Sequence, residues 1–320
     1  MNEPKLLGYN YSLELGRTAR DKGELLALRV ETSLMCNMKC KYCGWNSGMP
    51  LEDEIDFDTL TSFIDEGKNM GAKSIIIIGG GEPTIYKYFI ELVKYINRLK
   101  LIPVVITNGL TMDQALSEML YNNNCSILFK CDSLKPQTQD YLSGVQGAFI
   151  KMQRGLNILK DIGFTKVSDP SQLRLGLSFV LNKKNIDEAC DIWRFCRNNN
   201  IYPNLELLNP IGRSEKYMAE LVPNNMELQK VLKRIKDIDE NEYHIKHINY
   251  HKQYSHCLQH IYSVYLNVQG YVQPCGAIRV KKYNYKDSSL SNILNNEYFQ
   301  KVRLTEDHLD ANVELTSFSL

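Results

Sequence analysis

The sequence has no excess of charge of either sign: 38 Lys and Arg face 37 Asp and Glu, a formal net charge of +1 over 320 residues. A nucleic-acid footprint or a polybasic membrane anchor would show as a basic surplus, so neither is expected, and a small molecule or a peptide is the better substrate class. Long hydrophobic runs are missing too. The longest uncharged apolar stretch, residues 74–81, is far shorter than the roughly 20 residues needed to span a bilayer. The opening MNEPKLLGYN has no apolar signal-peptide region, so a cytoplasmic protein is expected, with no membrane partner. No internal repeat or low-complexity linker breaks the chain.

What is present is 43% hydrophobic residues, enough for a large core, and nine cysteines. In a reducing compartment these do not form a disulfide framework, so metal binding or burial must account for them. Cys190 and Cys196, in the helical-looking IDEACDIWRFCRNNN, and Cys125, before a strand, read as small buried hydrophobes.

Short β-rich runs alternate with longer helical patterns, the mark of a parallel sheet with crossover helices. The strand candidates are residues 26–32, 73–80, 102–109, 126–133, 173–182 and 204–210; amphipathic stretches begin near Phe57, Tyr88, Asp113, Ala148, Ile186 and Met226. Six units are too few to close an eight-stranded barrel. The expected fold is α/β, a partial (β/α)6 TIM-like barrel, with chemistry at the carboxyl ends of its strands. The domains expected are an N-terminal extension (1–25), the barrel (26–240) and a small C-terminal α+β appendage (241–320). In the appendage, YSVYLNVQGYVQPC reads as a hairpin turning at Gln269-Gly270.

Directly after the first strand comes CNMKCKYC, three thiols at CX3CX2C spacing. They can hold three corners of an iron-sulfur cubane and leave the fourth iron open; taken alone they would also suit a zinc knuckle in a non-catalytic scaffold. The second strand ends in Gly79-Gly80-Gly81-Glu82-Pro83 and the third in Thr107-Asn108-Gly109. Glycines there allow positive φ and close backbone approach to a ligand.

With these motifs, residues 25 to 215 resemble the radical S-adenosylmethionine (SAM) superfamily. The resemblance implies a [4Fe-4S] cluster on Cys36, Cys40 and Cys43, with Tyr42 near the adenine of SAM. It implies that Gly80, Gly81, Glu82 and Pro83 receive the methionine amino group, with Thr107 and Asn108 along the cofactor side of the pocket. The segment FKCDSLKPQTQDYLSGVQGAF resembles SPASM-containing relatives, keeping Asp132, Asp140, Gly144, Gly147 and Phe149 in frame. Where such relatives often carry an arginine for the SAM carboxylate, this chain has Ser143, so Arg174 or Lys130 is expected to neutralise that carboxylate. Lys130 and Asp132 share one strand face while Cys131 points away, and Ser178 is implied as a SAM contact. Lys130, Asp132 and Arg213 are the catalytic candidates, and Glu206 is a further substrate or cofactor contact.

Cys257 and Cys275 flank Gly270 as CX12GX4C, similar to the opening of SPASM or twitch domains, which bind auxiliary clusters; no cysteine follows Cys275. Two thiolates do not hold a four-ligand cluster, so an auxiliary cluster would need further ligands, with His256 and His260 as the nearby candidates. The resemblance implies hydrogen abstraction from a peptide or small natural product, or dehydrogenation or epimerisation of a sugar-like alcohol. It also implies an electron donor such as flavodoxin or ferredoxin. Only about 25 residues precede the barrel, so no leader-peptide-recognition domain is expected there.

Overall fold

A computed structural model describes residues 3–246, 258–276 and 278–305. Six parallel strands follow the predicted order: β1 (Ala27–Val30), β2 (Ser74–Ile77), β3 (Ile102–Thr107), β4 (Ser126–Lys130), β5 (Leu175–Leu181) and β6 (Tyr202–Leu207). Two more, β7 (Ser263–Leu266) and β8 (Val272–Gln273), complete an eight-stranded sheet in the order β8-β7-β1-β2-β3-β4-β5-β6. The fold is the partial, open barrel anticipated. The hairpin read near Gly270 forms, and Gly270 takes φ 89° at its turn. Its first strand pairs in parallel with β1, so the appendage shares the barrel sheet.

Period-two alternation sorts each strand into two rows. Leu28, Val30, Ile75, Ile77, Val105, Ile127, Phe129, Leu177 and Phe179 face outward into the large core under the helices. Ala27, Ile76, Val104, Leu128 and Tyr202 face inward and meet Leu6 and Tyr9. The N-terminal segment therefore plugs the amino end of the barrel. Lys5–Leu6 pairs with Gln172–Leu173, and Ser74 Oγ donates to Gly8 O at 2.6 Å.

Two of the helices between the strands start at aspartate caps. Asp56 accepts the Thr59 N–H before α1 (Phe57–Asn69), and Asp113 accepts that of Leu116 before α2 (Gln114–Asn122). A helix that the strand pattern does not separate, α3 (Pro136–Ser143), stops at Gly144, whose φ of 67° suits a left-handed cap. Cys125, Cys190 and Cys196 are buried in the core, as their patterns imply, and Cys131 joins them on the outward row. Among the described residues, no helix is long and apolar enough to cross a membrane.

Candidate active site

The site is built at the carboxyl ends of β1 to β6. The chain leaves β1 into a loop carrying Cys36, Cys40 and Cys43, all half-buried. The loop is closed at its base by Cys36 N–H donating to Gly48 O and Gly48 N–H to Leu34 O, at 3.1 and 2.9 Å. It leans on the end of α3, where the N–H groups of Lys39 and Lys41 donate to the carbonyls of Ser143 and Leu142.

The Gly-Gly-Glu-Pro turn packs against this loop. Gly81 N–H donates to Ser33 O at 2.6 Å and Glu82 N–H to Met35 O at 2.9 Å. A Cβ on Gly81 would stand 1.8 Å from Met35 O, so only glycine permits that approach. Glu82 is buried. Its carboxylate accepts Thr107 Oγ1 at 2.6 Å, Thr84 Oγ1 at 2.7 Å and Asn108 N–H at 2.7 Å, which fastens the ends of β2 and β3 together. Burial raises the Glu82 pKa, and these donors oppose the rise. Asn108 Nδ2 donates to Asn37 Oδ1 at 2.7 Å, bringing the third strand end onto the cysteine loop.

The second half of the site lines the interior. Lys130 Nζ lies 3.5 Å from Glu206 Oε2 and 3.4 Å from Ser178 Oγ, over the Tyr42 ring. Glu206 Oε1 accepts Ser178 Oγ at 2.6 Å and Asn204 Nδ2 at 3.1 Å. Burial pulls the Lys130 pKa down, but Glu206 and Asp132 outweigh it and leave the ammonium raised. Asp132 is fully buried, accepting the Tyr42 hydroxyl and, at 2.8 Å, the Val180 N–H; burial raises its pKa against Lys130 and Tyr42. Tyr42, Lys130, Asp132, Ser178 and Glu206 are thus one cluster.

Two expected roles need correction. Arg174 lies just before β5, at the amino edge of the sheet, and donates to the carbonyls of Tyr121 and Cys125 at 2.9 to 3.1 Å. It is at the wrong end of its strand to meet a ligand at the mouth. Strand alternation gives the face of a residue and not its height. Arg213, taken as a catalytic candidate, donates from Nη1 to Cys40 O at 3.2 Å and from Nη2 to Ser47 O at 2.5 Å, while its N–H meets Cys43 O. It grips the cysteine loop through three backbone carbonyls. Ser143 is buried with its hydroxyl on Asp140 O, below the loop.

Sequence reasoning missed a buried carboxylate, Glu31. Its Oε1 accepts Trp45 Nε1 and Tyr265 OH, each at 2.5 Å, and its Oε2 accepts Val268 N–H at 2.9 Å. Arg279 Nη2 donates to Gly44 O at 2.6 Å beside Trp45. The C-terminal hairpin therefore braces the cysteine loop. The signal available was the pair Arg29 and Glu31 in an otherwise apolar strand. Cys257 and His256 lie outside the described residues; Cys275 packs near Ile278, Val302 and Tyr298, and His260 Nε2 meets Thr305 O at 2.9 Å.

Burial pushes the Cys36 thiol up to about 11 and Cys40 to about 12, partly helped by Cys43 nearby, so metal binding must displace their protons. Among the described residues, no three His, Cys, Asp or Glu side chains close on one single-ion position. A cubane places each thiolate on a different iron, so it asks for neighbouring thiols and not for convergence on a point. Three thiols on one loop, backed by glycine turns and an interior with both a cation and carboxylates, fit such a cluster with an amino-acid-like ligand beside it.

A partial barrel with this loop at its mouth defines the class of enzymes that start radical chemistry from a cluster and a sulfonium. The chain belongs to the radical SAM superfamily, whose pattern matches residues 30–196. Members use a [4Fe-4S] cluster and S-adenosylmethionine. The chain is 29% identical over 153 residues to the Fe-coproporphyrin III synthase of Methanosarcina barkeri, covering 47% of this chain and 36% of that protein. It is 24% identical over 340 residues to the AdoMet-dependent heme synthase of Oleidesulfovibrio alaskensis, covering 96% and 84%. The structure of Streptococcus suis SuiB bound to its precursor peptide SuiA shares the fold, with a TM-score of 0.70 and 15% identity over 88% of this chain and 67% of that one.

Proposed function

We propose that this protein abstracts hydrogen from a peptide or small natural-product substrate held in the mouth of the barrel. The observation that carries the reading is the cysteine loop braced against Gly81, with its Tyr42 ring against Lys130 of the Lys130, Ser178 and Glu206 row. When bound, a [4Fe-4S] cluster with S-adenosylmethionine supplies a 5'-deoxyadenosyl radical. Cys36, Cys40 and Cys43 would hold the cluster, with electrons from a donor such as flavodoxin or ferredoxin. Lys130, kept protonated by Glu206 and Asp132, is the cation for the SAM carboxylate in place of the arginine that Ser143 replaces. Tyr42, fixed by Asp132, stands beside it. The open sheet leaves room for a bulky substrate, and the peptide-bound SuiB fold supports a peptide.

The test is to reconstitute the protein anaerobically, reduce it, add S-adenosylmethionine and measure 5'-deoxyadenosine. Formation of the nucleoside is the expected result. Purification with zinc in place of iron and sulfide, and no S-adenosylmethionine binding, would overturn the proposal in favour of a scaffold.

A further inference from the structure

Arg29 stands in the middle of β1, on the inward row between Ala27 and Glu31, with its guanidinium over the ring of Tyr9 at 5.3 Å. It is only 6% exposed, and among the described residues neither Nε nor Nη2 has a hydrogen-bond partner. Those two nitrogens form one edge of the guanidinium, whose N–H bonds run parallel at the spacing of two oxygens of one carboxylate or phosphoryl group. Elsewhere in this protein the same edge is engaged in that way: Arg197 Nε and Nη2 meet Asp239 at 2.9 and 2.7 Å, and Arg194 meets Glu242 at 2.8 and 2.7 Å.

The interior carboxylates do not serve Arg29. Glu31 commits both oxygens to Trp45, Tyr265 and Val268, Asp132 to Tyr42 and Val180, and Glu206 to Ser178, Asn204 and Lys130. A buried cation without a counter-charge is strongly unfavourable, and an apolar side chain of the same size would fold better there. Buried polar atoms that stay unpaired in a folded protein call for an explanation beyond packing. The strand that carries Arg29 runs straight into the cysteine loop, so its side chain lies between the N-terminal plug and the reaction mouth.

We propose that Arg29 is the anchor for an oxyanion of the substrate, a carboxylate or a phosphoryl group gripped in a two-pronged fashion from inside the barrel. This rests on the radical reading of the same barrel and narrows its substrate class to anionic molecules. A peptide would present the group as an acidic side chain or a chain terminus. The free edge of the guanidinium has no hydrogen bond to lose when an anion arrives.

The test compares thermal midpoints of the reconstituted full chain in sodium propionate, inorganic phosphate and sodium chloride at equal ionic strength. Wild type is expected to gain about 3 °C in one of the two oxyanions over chloride. Propionate acting alone identifies a carboxylate, and phosphate alone a phosphoryl group. Arg29→Met is expected to raise the midpoint in chloride, because it removes the uncompensated cation, and to abolish the oxyanion gain. Arg29→Lys, which keeps the charge without the paired edge, should at least halve it. No gain in wild type, or an undiminished gain in either variant, overturns the proposal; so does a lower chloride midpoint for Arg29→Met. A chain carrying Arg29→Met that does not fold is the same outcome as a lower midpoint and overturns the proposal as well. Formation of 5'-deoxyadenosine by wild type is a separate reading, so its failure with the oxyanion gain intact overturns the reaction and leaves the anion site standing.

Discussion

The indole nitrogen of Trp45 donates to Oε1 of Glu31 at 2.5 Å, and through that bond the loop bearing the cysteines is tied to the first strand. Tyr265 and Val268, from the C-terminal hairpin, occupy the rest of the carboxylate. Replacing Trp45 by Phe leaves a buried carboxylate short of one donor, a loss of about 1–3 kcal/mol. The expected outcome is a lower thermal midpoint together with faster loss of iron on dilution, followed by the cluster absorbance. Unchanged iron retention would separate this contact from cluster stability.

Glu31 also predicts a pH effect. Its pKa is raised by burial, against the pull of Tyr265, Val268 and Trp45. A carboxyl whose folded pKa lies above its unfolded value binds more protons in the folded state, so its contribution favours folding at low pH and is lost as pH rises through the folded pKa. Thermal midpoints measured from pH 4.5 upward should contain a falling component in wild type that Glu31→Gln lacks.

Gly81→Ala sets a Cβ against a backbone carbonyl that has no flexible way to retreat. We expect a cost of about 3 kcal/mol and a variant that takes up less iron and makes at least ~10-fold less 5'-deoxyadenosine. Gly23→Ala, where a Cβ meets nothing within 4 Å, is the control for backbone strain alone, because both glycines sit in turns and Gly23 has the positive φ.

The cysteines should divide sharply. Cys40→Ala is expected to abolish 5'-deoxyadenosine formation, whereas Cys190→Ala, in the core under the helices, should only lower stability, by about 1 kcal/mol. Iron and sulfide analysis should approach about four irons per chain, one cluster. About eight would show that groups near Cys275 complete a second.

Arg174 separates fold from chemistry. Its guanidinium satisfies two carbonyls at the amino edge, so Arg174→Met should cost about 1–3 kcal/mol in unfolding experiments. The dissociation constant for S-adenosylmethionine should stay within about twofold, since the residue lies at the far end of the barrel.

The sequence by itself determined what depends on neighbours along the chain. Thiol spacing, the glycine turns after β2 and β3, and the period-two rows of β1 to β6 are local patterns, and each maps to a local structure with little choice. The cluster of Lys130, Asp132 and Ser178 was legible for the same reason, because the alternation of one strand and the next fixes which side chains face inward. What only the tertiary structure decided is pairing across long separations and height along the barrel axis. Nothing local to Arg213 says that it will grip the carbonyls of Cys40 and Ser47, and nothing in LALRVET says that Glu31 will receive donors from Trp45 and from a hairpin more than 230 residues on. Alternation placed Arg174 and Ser178 on one face, but the rise along the strand puts one at the floor and the other at the mouth, and only the folded sheet shows which end carries the cysteines.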